Sequence, residues 1–322
     1  MRVIEVTEFG GPEVLVPREV PEPVAGAGQV LVAVAAADVL FVETQVRRGW
    51  GREFFPVEPP YVPGGGVSGT VEAAGEGVDP GWVGRRVLAR TDGGGYAERV
   101  VVPAEGLVPV PDGLDLRTAA ALLHDGSTAF RLFELAGVRA GEWVLVTAAG
   151  GGAGTLLVQL AHAAGAHVVA AARGERKLEL LRELGAEVAV DYTTPGWAER
   201  VREATGGAGP AVVFDGAGTE VGARAFGVTA DGGRVWAYGA PSGGFATIDT
   251  AEADRRGITV RGIEQIRVAP GEPVPGMPDV LAAAADGRVR PVIGQTFPLE
   301  KAADAHAAIE AREVVGKTLL IT

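Results

Sequence analysis

The chain predicts a two-part α/β protein: a compact, mostly antiparallel β domain followed by a doubly wound parallel sheet of six strands. Three features of its 322 residues carry that expectation. The first third is a series of short β-branched segments between Gly, Pro and Asp. From about Leu116 onward, apolar strands alternate with amphipathic helices at βαβ spacing. The first of those later strands runs into a glycine turn that opens a helix.

In chain order, "MRVIEVTEF", "GQVLVAVAAADV", "VSGTVEAAGEGV", "GRRVLAR" and "YAERVVVP" read as strands of the first domain, residues 1–118. Helix then begins in "DLRTAAALLHDGSTAFRLFELAG". The strands "EWVLVT", "AHVVAA", "AEVAVDY", "PAVVFDG", "GGRVWAYG" and "GITVRG" follow with helices between them, marking a second domain over 119–265. After Gly262 a Pro/Gly-rich connection leads to a helix at "MPDVLAAAADG", a strand at "RPVIGQTFP", a helix at "LEKAADAHAAIEAR" and a strand at "GKTLLIT". This tail, 266–322, lacks the βαβ rhythm and is expected to return to the first domain. At 47% hydrophobic residues the chain can bury a large core, and its 49 glycines and 21 prolines fall between apolar runs, as turns do.

Composition excludes several function classes. A net charge of −12 argues against nucleic acid or an anionic membrane as partner. The absence of cysteine removes disulfides, a thiolate nucleophile and every cysteine-containing zinc site. "MRVIEVTEFGGPEVL" has no charged-then-apolar leader, and no run of about 18 apolar residues occurs, so a cytoplasmic protein that does not span a membrane is expected.

The strand "EWVLVT", the turn "AAGGGAG" and the helix "TLLVQLAHAAG" place backbone N–H groups and a helix N-terminus where a diphosphate binds. Ala148, Gly151 and Gly154 occupy the marked places of an A-x-x-G-x-x-G pattern. A flexible loop is the alternative for glycines alone; the strand before and the helix after argue for the ligand. Cofactor choice is read at the end of the next strand, where an NAD site places a carboxylate on the ribose hydroxyl about 20 residues past the glycines. Here the strand ends in Arg173, followed by Arg176 and Lys177, with Glu175 free to turn outward. Three cations with no carboxylate suit a 2′-phosphate, hence NADPH. A solvated basic helix start is the other reading, but cations there oppose the helix dipole.

These segments, with "FVETQVRRG", "VPGGGVSGTVEAAGEGV", "GGGYAERVVVP", "AAALLHDGSTAF", "ERKLELLRELGAEVAVDY" and "VVFDGAG", resemble the medium-chain dehydrogenase/reductase superfamily over essentially the whole chain. The likeness is to its zinc-independent, zeta-crystallin-like quinone oxidoreductase branch. The resemblance implies a GroES-like β domain, a Rossmann domain, NADPH and a homodimer. It places the diphosphate loop on Gly151, Gly152, Ala153 and Gly154, the 2′-phosphate contacts on Arg173, Lys177 and Tyr192, and the nicotinamide surroundings on Thr128, Gly239 and Ser242. Where the family often has Asn-Phe-x-Asp-x-Tyr, this chain has Leu40-Phe41-Val42-Glu43-Thr44-Gln45. The departure leaves cofactor binding intact and puts substrate identity and proton donor in question.

The Cys and His ligands of the zinc alcohol dehydrogenases cannot be assembled here. His124, His162, His167 and His306 lie on separate elements, where single histidines are usually surface or packing residues; His124, beside Thr128, is a candidate acid. Without a metal to polarise a carbonyl, a quinone or other conjugated carbonyl, which delocalises developing charge itself, is the expected small-molecule substrate. Gln45 and Thr128 are the candidate hydrogen-bond donors, with water or His124 delivering the proton; Gln45 as mere pocket lining is an equal alternative. An enoyl reductase of secondary metabolism, or a NADPH-binding redox sensor with little catalysis, are the other classes to be separated by experiment.

Overall fold

The computed structural model describes residues 1–241, 243–266 and 274–322. The chain forms two compact units, Met1–Ser127 with Val268–Thr322, and Thr128–Arg267. The first unit opens with an antiparallel pair, β1 (Arg2–Val6) and β2 (Leu15–Glu19). Then come β3 (Gln29–Val39), α1 (Phe41–Arg47), β4 (Gly66–Ala74), β5 (Arg86–Arg90), β6 (Arg99–Pro103) and β7 (Val108–Pro109). Helix α2 (Leu116–Ala136) follows, and the division between the units falls within it.

The second unit runs β8 (Trp143–Thr147), α3 (Gly152–Ala163), β9 (His167–Ala172), α4 (Glu175–Glu183), β10 (Val188–Asp191), α5 (Trp197–Ala204), β11 (Val212–Asp215), α6 (Thr219–Val228), β12 (Arg234–Ala237), α7 (Thr250–Arg255) and β13 (Thr259–Gly262). Thereafter α8 (Met277–Ala285), β14 (Ile293–Pro298), α9 (Ala302–Glu310) and β15 (Lys317–Ile321) belong to the first unit.

The first unit's larger sheet has seven strands in the order β14-β15-β3-β4-β5-β7, with β6 also on β3. Its pairings are antiparallel except β14 with β15, which is parallel. β3 is the centre. Val30, Val32 and Val34 alternate into a core with Val67 and Val71 of β4 and Val100 and Val102 of β6. The register of β3 on β4 shifts between Val34 and Ala36, and Gly69 is required there because a Cβ would sit 2.0 Å from the Ala33 carbonyl oxygen. Beyond that irregularity Ala36, Ala37, Asp38 and Val39 are all buried. Ala36 packs with Leu319 of β15 and with Ala120 and Ala121 of α2. By strand alternation Asp38 shares the face of Ala36, and Lys317 shares that of Leu319, so α2 covers a face holding two charges.

The second unit is a six-stranded, wholly parallel sheet in the order β10-β9-β8-β11-β12-β13. All six strands expected from the sequence are present. The central ones, Val144–Val146, Val168–Ala171 and Val212–Phe214, have no exposed residue, as continuous apolar runs should when helices cover both faces. The order reverses between β8 and β11, and in such sheets ligands bind past the carboxyl ends of the strands at that point. Three elements, α1, β2 and β7, were not read from the sequence. β2, "LVPRE", is short and polar beyond its first residues, and β7 is a two-residue edge.

Candidate functional site

At the carboxyl end of β8 the chain turns sharply. Ala148 adopts a left-handed φ of 49°, the Ala149 N–H donates to the Ala171 carbonyl (3.1 Å), and the Gly151 N–H donates to Ala148 (3.0 Å). Gly151 is the cap of α3, extended and without a side-chain acceptor, so the N–H groups of Gly152, Ala153 and Gly154 have no partner within the helix. A Cβ on Gly154 would lie 2.7 Å from the Ala148 oxygen and from both Cα and oxygen of Ala149, so glycine alone lets α3 approach β8 this closely. A Cβ on Gly150 would meet Lys177 Cδ at 2.8 Å, which puts the Lys177 stem, from the first turn of α4, directly over the glycine turn. The donor set is that of an anion cradle: glycine-lined, rich in N–H groups without a partner in their own helix, and overhung by a cation.

Arg173 follows the last residue of β9 and is exposed, as is Arg176; Glu175 turns along the helix to Arg182 (2.7 Å). A carboxylate nevertheless stands at this strand tip, supplied by the neighbouring strand. Asp191 ends β10 in register with Ala172, accepting from the Gly174 N–H (2.9 Å) and from the N–H and hydroxyl of Thr193 (2.8 and 2.6 Å). Burial, acting upward, is outweighed by those hydrogen bonds and by the Arg173 charge, and the Asp191 carboxyl is held below its ordinary value. Both its oxygens are committed to the turn. Tyr192 is half-buried beside it and donates its N–H to Ala172 (3.2 Å).

Across the reversal point, Thr147 and Asp215 are in register on β8 and β11, and the Thr147 hydroxyl donates to Asp215 Oδ1 at 2.6 Å. The same Oδ1 receives the N–H groups of Ala217 and Gly218 (3.1 and 3.2 Å), fixing the turn after β11. Burial pushes the Asp215 carboxyl up against these bonds. Gly239, past β12, abuts this turn, for a Cβ there would be 2.4 Å from the Gly216 oxygen. Ser242 lies outside the described residues. The second unit thus brings Ala148, Gly151, Gly152, Ala153, Gly154, Arg173, Lys177 and Tyr192 to one edge of the sheet. Thr147 and Asp215 were missed by sequence reasoning, although "VVFDGAG" carries the signal of an apolar strand ending in a turn-capping Asp.

In the first unit, Gln45 is half-buried on α1. Leu40, the residue before that helix, donates its N–H to Glu43 Oε2 (2.8 Å), half of a capping box because Leu40 has no side-chain acceptor. Glu43 also accepts from Tyr96 Oη (2.8 Å) and, at Oε1, from the Gly65 N–H (3.0 Å). Burial and the nearby Asp38 charge push its carboxyl up. Behind it runs a buried chain: His306 Nε2 is 3.0 Å from Tyr96 Oη, Arg47 Nη1 is 3.5 Å from His306 Nδ1, and Arg47 is paired with Glu310. Burial first, and then Arg47, bring His306 down to about 3, so it is a neutral link in this chain. His167 stacks on Trp143 with ring centroids 4.9 Å apart and bonds Glu187, and the ring of His162 faces Gly185.

His124 differs from the other three. It lies on α2, one turn before the half-buried Thr128, and its Nδ1 is 2.7 Å from Oδ2 of Asp38. Lys317 Nζ is 3.2 Å from the same oxygen and 3.2 Å from Asp125 Oδ2. Burial raises the Asp38 carboxyl, but the charges of His124 and Lys317 and their hydrogen bonds outweigh it and bring it to about 2. Among the described residues, no three His, Asp or Glu side chains converge as metal ligands would.

Fold and cradle together define a dinucleotide-dependent oxidoreductase. Residues 26–112 match the alcohol dehydrogenase GroES-like domain family and residues 152–271 the zinc-binding dehydrogenase family. The chain is 34% identical to the quinone oxidoreductase of Rattus norvegicus, covering 100% of this chain and 98% of that one. It is also 34% identical to a 2-haloacrylate reductase of a Burkholderia species, over 97% of this chain and 96% of the other. The crystal structure of Escherichia coli quinone oxidoreductase complexed with NADPH superposes with a TM-score of 0.91 at 26% identity, covering 100% of both chains. The protein therefore belongs to the medium-chain dehydrogenase/reductase superfamily, in its zeta-crystallin-like quinone oxidoreductase branch.

Proposed function

We propose that this chain is a zinc-independent reductase that uses NADPH to reduce quinones and other conjugated carbonyls. The observation that carries the reading is the stem of Lys177 laid over Gly150, at a strand tip where Arg173 stands and where the carboxylate of Asp191 spends both oxygens on the turn. The N–H groups of Gly152, Ala153 and Gly154 bind the diphosphate; Arg173, Arg176 and Lys177, with Tyr192 alongside, bind the 2′-phosphate; Thr128 and Gly239 adjoin the nicotinamide. A reduced nicotinamide held there supplies a hydride. Gln45 and Thr128 donate hydrogen bonds to the acceptor oxygen, where charge develops, and His124 supplies the proton.

The relatives' names support this reading, since a quinone and a 2-haloacrylate are both conjugated acceptors. With no cysteine in the chain, the metal-independent route follows from the donor set. A homodimer in the cytoplasm completes the proposal. The test is loss of reduced-nicotinamide absorbance with quinones, enones, 2-haloacrylates and enoyl thioesters, before and after exhaustive chelation. Turnover of quinones or enones, unchanged by chelation, is expected. NADPH binding without turnover of any acceptor would leave a redox sensor instead, and activity restored only by zinc would refute the metal-free mechanism. A strong preference for 2-haloacrylates or enoyl thioesters would move the assignment to alkene reduction, which the Burkholderia relative favours.

A further inference from the structure

We propose that Asp38 and Lys317 are positioning residues that fix His124 as the proton donor of this reduction, presenting Nε2 to the acceptor while Nδ1 stays bound to Asp38. The inference rests on the reductase reading above. Its basis is the placement of a carboxylate with no exposed surface on the central strand of an apolar sheet, where an unpaired charge would be strongly destabilising. A purely structural ion pair needs only Lys317, itself 3% exposed, and that pair is present. The third member is a ring that is 22% exposed, so it is bound at Nδ1 to a fully buried carboxylate and is itself partly open to solvent. An Asp accepting from Nδ1–H sets the tautomer and ring plane of a histidine and leaves Nε2 as the edge that exchanges protons.

The surroundings are built to admit the ring. At Gly66 a Cβ would lie 2.8 Å from His124 Cε1 and 2.4 Å from Leu123, and at Gly65 it would lie 3.8 Å from Nε2. The Gly65 backbone is in turn held by Glu43 Oε1. The charged and titratable groups around His124 are thus Asp38 from β3, Lys317 from β15, Asp125 from α2 and Glu43 from α1, with Tyr96 behind Glu43. Asp38 at about 2 and Lys317, which its two carboxylates hold up against burial, keep their charges while the imidazole changes state.

Hydride from a bound reduced nicotinamide, whose own C–H bond would break, would form a C–H bond at one carbon of the conjugated system and leave an enolate. The enolate takes the proton from Nε2–H of the imidazolium, and neutral His124, still Nδ1–H bonded to Asp38, regains a proton from water.

Two readouts test this. The first is kcat against pH with an enone acceptor, together with its solvent deuterium isotope effect, for wild type, His124→Gln and Asp38→Asn. Each variant is referred to its own NADPH affinity by titration. His124→Gln is expected to lower kcat on the order of 10²-fold and Asp38→Asn at least about tenfold, with NADPH affinity unchanged, the high-pH fall in rate abolished or displaced, and added imidazole partly restoring His124→Gly. Wild-type kcat and pH profile in both variants would overturn the proposal. The second readout needs no turnover: long-range nitrogen NMR of the imidazole should show the Nδ1–H tautomer in wild type and its loss in Asp38→Asn or, should that variant not fold, in Lys317→Met with a shifted population. A wild-type Nε2–H tautomer would refute the positioning role. An inactive wild type with the expected tautomer would refute the reductase reading and, with it, the donor role, while leaving the measured Asp38–His124 geometry in place.

Discussion

Replacing Gly154 by Ala sets two effects of opposite sign against each other. Within a helix, Ala is favoured over Gly by about 1 kcal/mol, so propensity alone predicts a more stable protein. At this position the new methyl group meets three backbone atoms at 2.7 Å, the Ala148 oxygen and the Cα and oxygen of Ala149, none of which can rotate away. Overpacking of that kind costs about 1–3 kcal/mol and is relieved by moving α3 off β8, so a net loss of up to about 2 kcal/mol is expected. The same movement draws the Gly152–Gly154 N–H groups away from the diphosphate. Losing one hydrogen bond to a charged group, about 1.5–3 kcal/mol, weakens NADPH by roughly ten- to hundred-fold. Gly227→Ala is the internal control: it lies in α6 with nothing within 4 Å of a built Cβ, and it should stabilise the fold and leave NADPH affinity alone. Calorimetry and NADPH titration on both variants check this. If Gly154→Ala raises the melting temperature as Gly227→Ala does and binds NADPH as wild type, the close approach is not what requires glycine there.

Arg173→Ala or Lys177→Ala should weaken NADPH by about ten- to hundred-fold while NADH binding barely moves, each lost contact being about 1.5–3 kcal/mol; NADH binding equal to or tighter than NADPH binding in the wild type would mean the cations are a solvated cluster. Gln45→Ala and Thr128→Val should lower kcat with NADPH affinity nearly intact, and wild-type rates in both would make these residues pocket lining. Because the Asp38 carboxyl sits at about 2 in the folded state, below an unfolded value of about 3.9, its contribution is complete above about pH 4 and is lost as the pH falls through about 2. The loss is about 2–3 kcal/mol, and acid titration of stability should show a shallower decline in Asp38→Asn. Glu43 works in the opposite sense: its raised carboxyl is unfavourable when ionised, and that cost is relieved as the pH falls through its folded value.

Much of this architecture was legible in the sequence, and for physical reasons. The parallel strands are continuous apolar runs because helices bury both faces, and a glycine run between strand and helix marks a tight turn, so the six strands and the turn at Gly151–Gly154 could be read directly. What could not be read is what separate strands bring together. Asp191 stands 18 residues after Arg173, and only the register of β10 on β9 sets it at that strand tip. Asp38 looks like the polar end of a strand, and Lys317 like the start of another; only the pairing of Leu319 with Asp38 shows that both point under α2 and meet His124. A histidine's role depends on partners that are distant in the chain, and one sequence carries no record of them.

The pairing of β15 with β3 also bears on the order in which the molecule is assembled. The second unit is contiguous, and its sheet can close from local βαβ steps as soon as residues 143–262 exist. The first unit cannot: Val39 finds Thr318 only after the whole second unit has been made. Until then the central strand exposes an unpaired edge, and Asp38 lacks its cation. During synthesis, then, the strand that carries Lys317 to Asp38 and His124 emerges only after the glycine turn of the second unit.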